Sequence, residues 1–155
     1  MHGRIGHLSL AGWRLGFVPP APGLRLEALV DWLARWRPPW RWLSEHLVFD
    51  AAGYRRIPLL CSPAVEVLLL AWLPGQATDV HAHGGSVGAV RLLVGTLEER
   101  RYALSPDGYV ERGRWLYRAP AVLREGRSTV HRVAAVGPGP ALSLHVYSPP
   151  LPREA

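Results

Sequence analysis

The sequence predicts a mainly β protein, either a β-sandwich or a jelly-roll barrel, with a short helical flank at the N-terminus. Nine short segments rich in apolar and β-branched residues follow one another after Tyr54. Turn signals such as Pro74-Gly75 and Gly137-Pro138-Gly139-Pro140 separate them, and no strand–helix–strand alternation is present. The 155 residues, 48% of them hydrophobic, are enough for one domain with a buried core.

The N-terminal quarter of the chain is predicted to be irregular at first and then helical. Residues 1–23 show weak periodicity and several Gly and Pro residues, as in an irregular arm. An amphipathic helix follows and ends at about Trp36, because apolar residues recur at the helical spacing in Leu26, Leu29, Val30 and Leu33. Pro38 and Pro39 end that helix, and a second short helix is predicted over Trp40–Leu47.

The remainder of the chain is predicted to be β. We expect strands at Tyr54–Cys61, Val65–Trp72, a short segment at His81, Ala89–Val94, Thr96–Ala103, Tyr109–Tyr117, Val122–Arg124, Val130–Ala134 and Ala141–Tyr147. No internal repeat or linker interrupts them. We therefore expect one domain over residues 1–155, with a helical flank in residues 1–50 and the β-barrel in residues 54–150.

The number and spacing of the basic residues indicate which partners the protein can bind. All 18 basic residues are Arg and the net charge is +6, but the arginines are scattered and never exceed two in a row. We therefore expect a solvated surface and an arginine that recognises a small anion, and no nucleic-acid partner.

The lone Cys61 excludes an internal disulfide and is expected to be a small buried side chain. With no targeting segment and no apolar stretch longer than Val67–Leu73, we expect a cytoplasmic protein without a membrane partner.

Three histidines are candidates for a metal site. His81 and His83 lie two residues apart on a predicted strand, so both imidazoles point to one face. His131 lies on a later strand. An ordinary strand histidine is the alternative for His131, but beside an H-x-H pair we expect it to be the third ligand.

The spacing around this pair resembles the first cupin motif. Gly75 precedes His81 by six residues, and Gly95 stands where the closing glycine of that motif belongs. The position that holds a glutamate ligand in typical cupins, five residues after His83, is Gly88. The resemblance therefore implies a cupin barrel whose metal site has three neutral histidines and no carboxylate.

The last predicted strand indicates which family of cupins the chain resembles. Ser143, His145 and Tyr147 alternate, so they project to one face, and Ser148-Pro149-Pro150 follows them. Together with the histidines this resembles the cysteine dioxygenase family, over Tyr54 to Pro150. The resemblance implies Fe(II) held by His81, His83 and His131, with Tyr147 as a catalytic group oriented by His145 and Ser143. It also implies a cis peptide bond between Ser148 and Pro149.

The substrate side of the resemblance is a Tyr-x-Arg pattern, here Tyr54 and Arg56. A guanidinium group binds a carboxylate through two parallel hydrogen bonds, so Arg56 is expected to bind the substrate carboxylate with help from Tyr54. The family resemblance implies an enzyme that adds both atoms of O2 to the sulfur of L-cysteine, and we expect a monomer. The thiolate and amine would take two open metal positions and O2 the third. Because Gly88 replaces the cysteine of animal enzymes, Tyr147 is expected to stay unmodified.

Two alternatives remain open at this stage. The same chemistry could act on 3-mercaptopropionate or another small thiol acid, although relatives with that preference tend to have glutamine in place of Arg56. A non-catalytic metal-binding cupin is the alternative from another class. The alternating Ser143, His145 and Tyr147 argue against it, because a storage or sensor site needs no oriented hydroxyl beside the metal.

Overall fold

The computed structural model of the chain describes residues 24–37 and 39–153. The irregular arm predicted for residues 1–23 lies outside this part. None of the helices within the described ranges is long and apolar enough to cross a membrane.

Two helices precede the strands in the described part of the chain, α1 (Leu26–Arg35) and α2 (Trp40–His46). Leu29 and Leu33 of α1 are fully buried, as expected for the inward stripe of an amphipathic helix. The Arg91 guanidinium group donates hydrogen bonds to the carbonyls of Leu33, at 2.8 Å, and of Trp36. These bonds satisfy carbonyl groups at the end of α1 that have no partner within the helix.

Nine strands follow, and they form two antiparallel sheets. The strands are β1 (Arg55–Cys61), β2 (Glu66–Trp72), β3 (His81–Ala82), β4 (Val87–Val94), β5 (Thr96–Ser105), β6 (Gly108–Arg118), β7 (Val122–Glu125), β8 (Val130–Val136) and β9 (Ala141–Ser148). One sheet has the order β1-β2-β9-β4-β7 and the other the order β3-β8-β5-β6. Neighbours distant in the sequence, such as β2 and β9, pair as in a jelly roll.

Strand β2, inside the five-stranded sheet, is buried on both faces. The odd-numbered residues 67, 69 and 71 of β2 share a core with helix α1. The even-numbered residues 68, 70 and 72 share a second core with Leu97 and Val133 of the four-stranded sheet. Because successive side chains of a strand point to opposite faces, β2 is apolar from Val67 to Trp72 and contributes to both cores.

The mainly β jelly-roll prediction with its helical flank is confirmed. Every predicted helix and strand is present, with ends that differ by at most two residues, and the Ser148–Pro149 bond is cis as expected. Strands are hydrogen-bonded within each sheet but not between the two sheets, so the sheets do not close into a continuous barrel. The assignment of residues 1–155 to one domain stays a prediction.

Cys61 corrects one expectation, since it is exposed rather than buried. The register of β1 against β2 shifts between Pro58 and Leu60, so Leu59 and Leu60 are both buried. After this irregularity the alternation of faces is displaced by one residue, and Cys61 falls on the open side of an edge strand.

Candidate active site

The three candidate metal ligands meet at one point of the four-stranded sheet. His81 on β3 lies directly opposite His131 on β8, and His83 follows two residues after His81. The ring centroids are 5.1 Å apart for His81 and His83, 4.7 Å for His81 and His131, and 4.8 Å for His83 and His131. One nitrogen from each ring lies within 4.8 Å of the others, so the three can hold one ion.

Hydrogen bonds orient two of these rings. His81 Nδ1 is 2.9 Å from the Asp79 carbonyl oxygen, and His131 Nδ1 is 2.9 Å from a carboxylate oxygen of Glu99. Both partners accept, so each Nδ1 carries the proton and donates. In the neutral ring the lone pair then lies on Nε2, which is the atom left to bind a metal.

The electrostatics of the triad favour a bound cation. Burial lowers the pKa of His81 and lowers the pKa of His83 to about 3, so both rings are neutral at pH 7. The Nε2 atoms of His83 and His131 lie 3.2 Å apart. Two ligands bound at right angles at about 2.1 Å from one ion are separated by about 3.0 Å. The donor set therefore fits the ferrous iron that the family resemblance implies.

Glu99, on β5, is a positioning group that the sequence analysis missed. It is fully buried and accepts the hydrogen bond of His131. Arg101 lies 3.3 Å from the same carboxylate, and Tyr117 donates to it at 3.3 Å. Burial raises the pKa of Glu99, but the His131 hydrogen bond and the Arg101 charge outweigh burial and lower the pKa overall. Glu99 is therefore a stable anion behind the third histidine.

Glu125, at the end of β7, was also missed. It is fully buried, with Oε2 3.2 Å from His83 Nε2 and Oε1 3.7 Å from His131 Nε2. Burial raises its pKa to about 7. A carboxylate therefore lies beside the histidines although Gly88 contributes none.

Ser143, His145 and Tyr147 form the chain of hydrogen bonds that their alternation on β9 predicts. Ser143 Oγ lies 2.7 Å from His145 Nε2, and His145 Nδ1 lies 3.0 Å from the Tyr147 hydroxyl. Trp72 donates to Ser143 at 2.9 Å, which leaves the serine proton for His145 Nε2. The neutral imidazole then donates from Nδ1 to Tyr147, and the tyrosine proton is available to a group in the cavity. Burial raises the pKa of Tyr147 and lowers that of His145.

A cavity of about 720 Å³ contains the predicted substrate groups. It is lined by Tyr54, Arg56, His145, Tyr147 and the three candidate metal ligands, whereas Ser143 lies behind His145. Tyr54 is held by stacking on Trp72, with ring centroids 4.5 Å apart. The structure thus brings the sequence-predicted site residues together.

A partial signal for the two missed glutamates exists in the sequence. Leu97 and Glu99 alternate on β5, and Leu123 and Glu125 alternate on β7, so each glutamate shares a face with a buried leucine. The alternation could have placed both carboxylates inside. Their distance to the histidines depends on which strands pair, and the alternation pattern gives no information about that pairing.

Solved structures resemble this fold. The TT1209 protein of Thermus thermophilus is 26% identical with a TM-score of 0.60, over 70% of this chain and 94% of its own. BH2720 of Bacillus halodurans is 16% identical with a TM-score of 0.58, over 88% of this chain and 87% of its own. A Klebsiella pneumoniae protein described as having a double-stranded β-helix domain has a TM-score of 0.56 at 18% identity, over 69% of this chain and 81% of its own.

Curated relatives and a family model agree with one another. Cysteine dioxygenase type 1 of Homo sapiens is 32% identical, and that of Danio rerio 34% identical, each over 55% of this chain and 45% of the relative. The chain thus spans less than half the length of these curated relatives. The family model for cysteine dioxygenase type I matches residues 36–154, which include every residue assigned to the cavity. The chain belongs to the cysteine dioxygenase type I family.

Proposed function

We propose that the protein is an Fe(II)-dependent thiol dioxygenase that converts L-cysteine and O2 to cysteine sulfinic acid. The observation that carries this proposal is the convergence, in one cavity, of three histidines, an arginine and a buried tyrosine hydroxyl. His81, His83 and His131 would hold the iron. The iron, when bound, stabilises the substrate thiolate and supplies a site at which dioxygen is activated.

Arg56 supplies the substrate specificity in this proposal. It lies on β1 opposite Leu70, whose side chain belongs to the core between the two sheets. The guanidinium group therefore faces the cavity, where it binds the carboxylate of the amino acid through two parallel hydrogen bonds. This contact orients the thiol towards the histidines.

Tyr147 supplies a hydrogen bond at the reacting end of the substrate. Its phenol stays protonated because burial raises its pKa. His145 and Ser143 fix the direction of its hydroxyl group, so its proton points into the cavity. A preorganised donor of this kind stabilises negative charge that develops on oxygen.

The proposed reaction balances without a further reductant. The thiol and one molecule of O2 together contain every atom of the sulfinic acid. Two sulfur–oxygen bonds form, the oxygen–oxygen bond breaks, and the thiol proton is released or retained on the product. Sulfur loses four electrons and the two oxygen atoms gain them.

The test combines iron reconstitution with oxygen consumption. The apoprotein is loaded anaerobically with Fe(II), and oxygen uptake is followed with L-cysteine, 3-mercaptopropionate and cysteamine, which lacks the carboxylate. We expect about one iron per chain, fastest uptake with cysteine, and a product that takes both oxygen atoms from ¹⁸O2. His131→Ala, which removes one of the three imidazoles, should lose both iron retention and oxygen uptake.

Each other outcome selects a different function. Faster uptake with 3-mercaptopropionate would identify it as the substrate. Iron binding without oxygen uptake for any of the thiols would indicate a non-catalytic metal-binding cupin. The cytoplasmic location and the monomeric state stay predictions.

A further inference from the structure

Four residues form one row across the four-stranded sheet, and two of them are candidate metal ligands. Gly113 on β6 lies opposite Arg101 on β5. Arg101 in turn lies opposite His131 on β8, which lies opposite His81 on β3. Directly opposed residues of an antiparallel pair share a face of the sheet, with Cβ atoms about 4.5–5.5 Å apart. Arg101 is therefore the cross-strand neighbour of His131 on the side away from His81.

A cation this close to a metal ligand needs a counter-charge, and Glu99 supplies it. Arg101 Nε lies 3.3 Å from Glu99 Oε1, the oxygen that accepts from His131 Nδ1 at 2.9 Å. The carboxylate is fully buried, and a buried charge is ordinarily paired. Arg101 therefore contacts the same oxygen atom that orients the His131 ring.

Two further contacts fix the guanidinium group of Arg101. Its Nη2 donates to the Arg124 carbonyl oxygen at 2.7 Å, which connects β5 of one sheet to β7 of the other. Its Cζ lies 5.6 Å from the centroid of the Trp115 ring, within the range of a cation–π interaction. The Trp115 ring has room for this contact because residue 113 is glycine, where a Cβ atom would stand 2.2 Å from the ring. The guanidinium group thus has a defined position although the side chain is 37% exposed.

We propose that Arg101 is a positioning residue of the metal centre, which fixes the His131 imidazole through Glu99. The contacts run from the Trp115 ring to the guanidinium group, from there to the carboxylate, and from the carboxylate to Nδ1 of the metal ligand. A largely exposed edge strand, β6, thereby supports a buried metal ligand two strands away. The inference rests on the proposed function in one respect, namely that the three histidines hold a metal ion.

The test uses Co(II) as a spectroscopic probe, so it does not depend on activity. Co(II) is titrated anaerobically into the apoproteins of the wild type, Arg101→Met and Arg101→Lys, and both the dissociation constant and the visible spectrum are recorded. Arg101→Lys, which keeps a positive charge beside Glu99, is the second variant should Arg101→Met not fold. Arg100→Met is the matched control, because Arg100 points to the opposite face of the strand, where it donates to Glu98 at 2.6 Å.

We expect Arg101→Met to weaken Co(II) binding by about 10-fold and to change the spectrum, because the carboxylate that orients His131 loses its counter-charge. Arg101→Lys should bind Co(II) more tightly than Arg101→Met does, since its ammonium group retains that charge. Arg100→Met should match the wild type in both affinity and spectrum.

Wild-type affinity and spectrum in Arg101→Met would overturn the proposal. A fall in affinity with an unchanged spectrum would also overturn it, because His131 would then keep its orientation without Arg101. An equal loss in Arg100→Met would do the same, since the removal of any arginine from β5 would suffice. Absence of thiol oxidation in the iron-loaded wild type would refute the proposed function and leave the Co(II) result intact.

Discussion

At the scale of single residues, Arg55 and Arg56 show how adjacent residues of one type take different roles. Arg55 lies 3.7 Å from Asp50 in an ion pair whose two side chains are about half exposed. Such surface pairs contribute little to stability. Arg56 faces the opposite side of the strand and lines the cavity, where its charge also lowers the pKa of His81 and His145 after the larger effect of burial.

This contrast makes Arg55 a control for Arg56. Arg56→Gln should raise the KM for L-cysteine by about 10- to 100-fold, which is the contribution of hydrogen bonds to a charged group. The same variant should leave the weak reaction with cysteamine unchanged, because that thiol has no carboxylate. Steady-state oxygen uptake measures both effects.

Arg55→Gln should behave as the wild type with both thiols. An equal loss for cysteine and cysteamine in Arg56→Gln would show that Arg56 supports the cavity and does not bind the carboxylate.

At the scale of elements, the pairing of β5 with β8 orients the third histidine. Glu99 is paired with Val133, two residues beyond His131, so the carboxylate and the imidazole are diagonal neighbours on one face. Glu98 points to the other face, where Arg100 donates to it at 2.6 Å. One strand thus presents one glutamate to the metal site and its neighbour to the opposite face.

Glu99→Gln should weaken metal binding by about 10- to 100-fold, because the hydrogen bond that fixes the His131 ring loses its charge. Anaerobic competition with a chelator measures the dissociation constant. Glu98→Gln on the opposite face should bind metal as the wild type does. Identical affinities for Glu99→Gln and the wild type would mean that the His131 ring needs no such partner.

At the scale of the whole molecule, the buried site couples folding to pH. His145 is neutral in the folded protein because burial lowers its pKa below the usual value of 6.5. The unfolded chain therefore binds a proton below pH 6.5 that the folded protein excludes. The contribution of His145 is complete above pH 6.5 and is lost as the pH falls, by up to about 1.4 kcal/mol per pH unit.

Replacing His145 should accordingly flatten the acid side of the stability curve of the apoprotein. We expect the free energy of unfolding of His145→Gln to change less between pH 6.5 and pH 5 than that of the wild type. Urea denaturation at each pH measures it. Ser143→Ala retains the buried imidazole while losing its hydrogen-bond partner, so it should keep the steeper dependence. The same pH dependence in His145→Gln and the wild type would contradict a buried neutral His145.

Local periodicity in the sequence is sufficient to predict several features of the molecule. The helical spacing in α1 and the alternation along β9 each depend on neighbours within a few residues, so the sequence alone indicates both. The H-x-H pair likewise shows on its own that two imidazoles share a face. The family resemblance then extends these local patterns to Arg56 and to the third histidine.

Only the tertiary structure decided which strands lie side by side and in which register. It decided that Glu125 lies beside Gly88, that Glu99 supports His131, and that Cys61 is exposed after an irregularity in β1. The alternation of apolar and polar residues shows which face of its own strand a residue occupies. Its neighbour on the adjacent strand depends on pairing between segments that are distant in the sequence. The sequence by itself therefore determined the strands and the three candidate histidines, whereas long-range packing decided that two buried carboxylates lie beside these histidines.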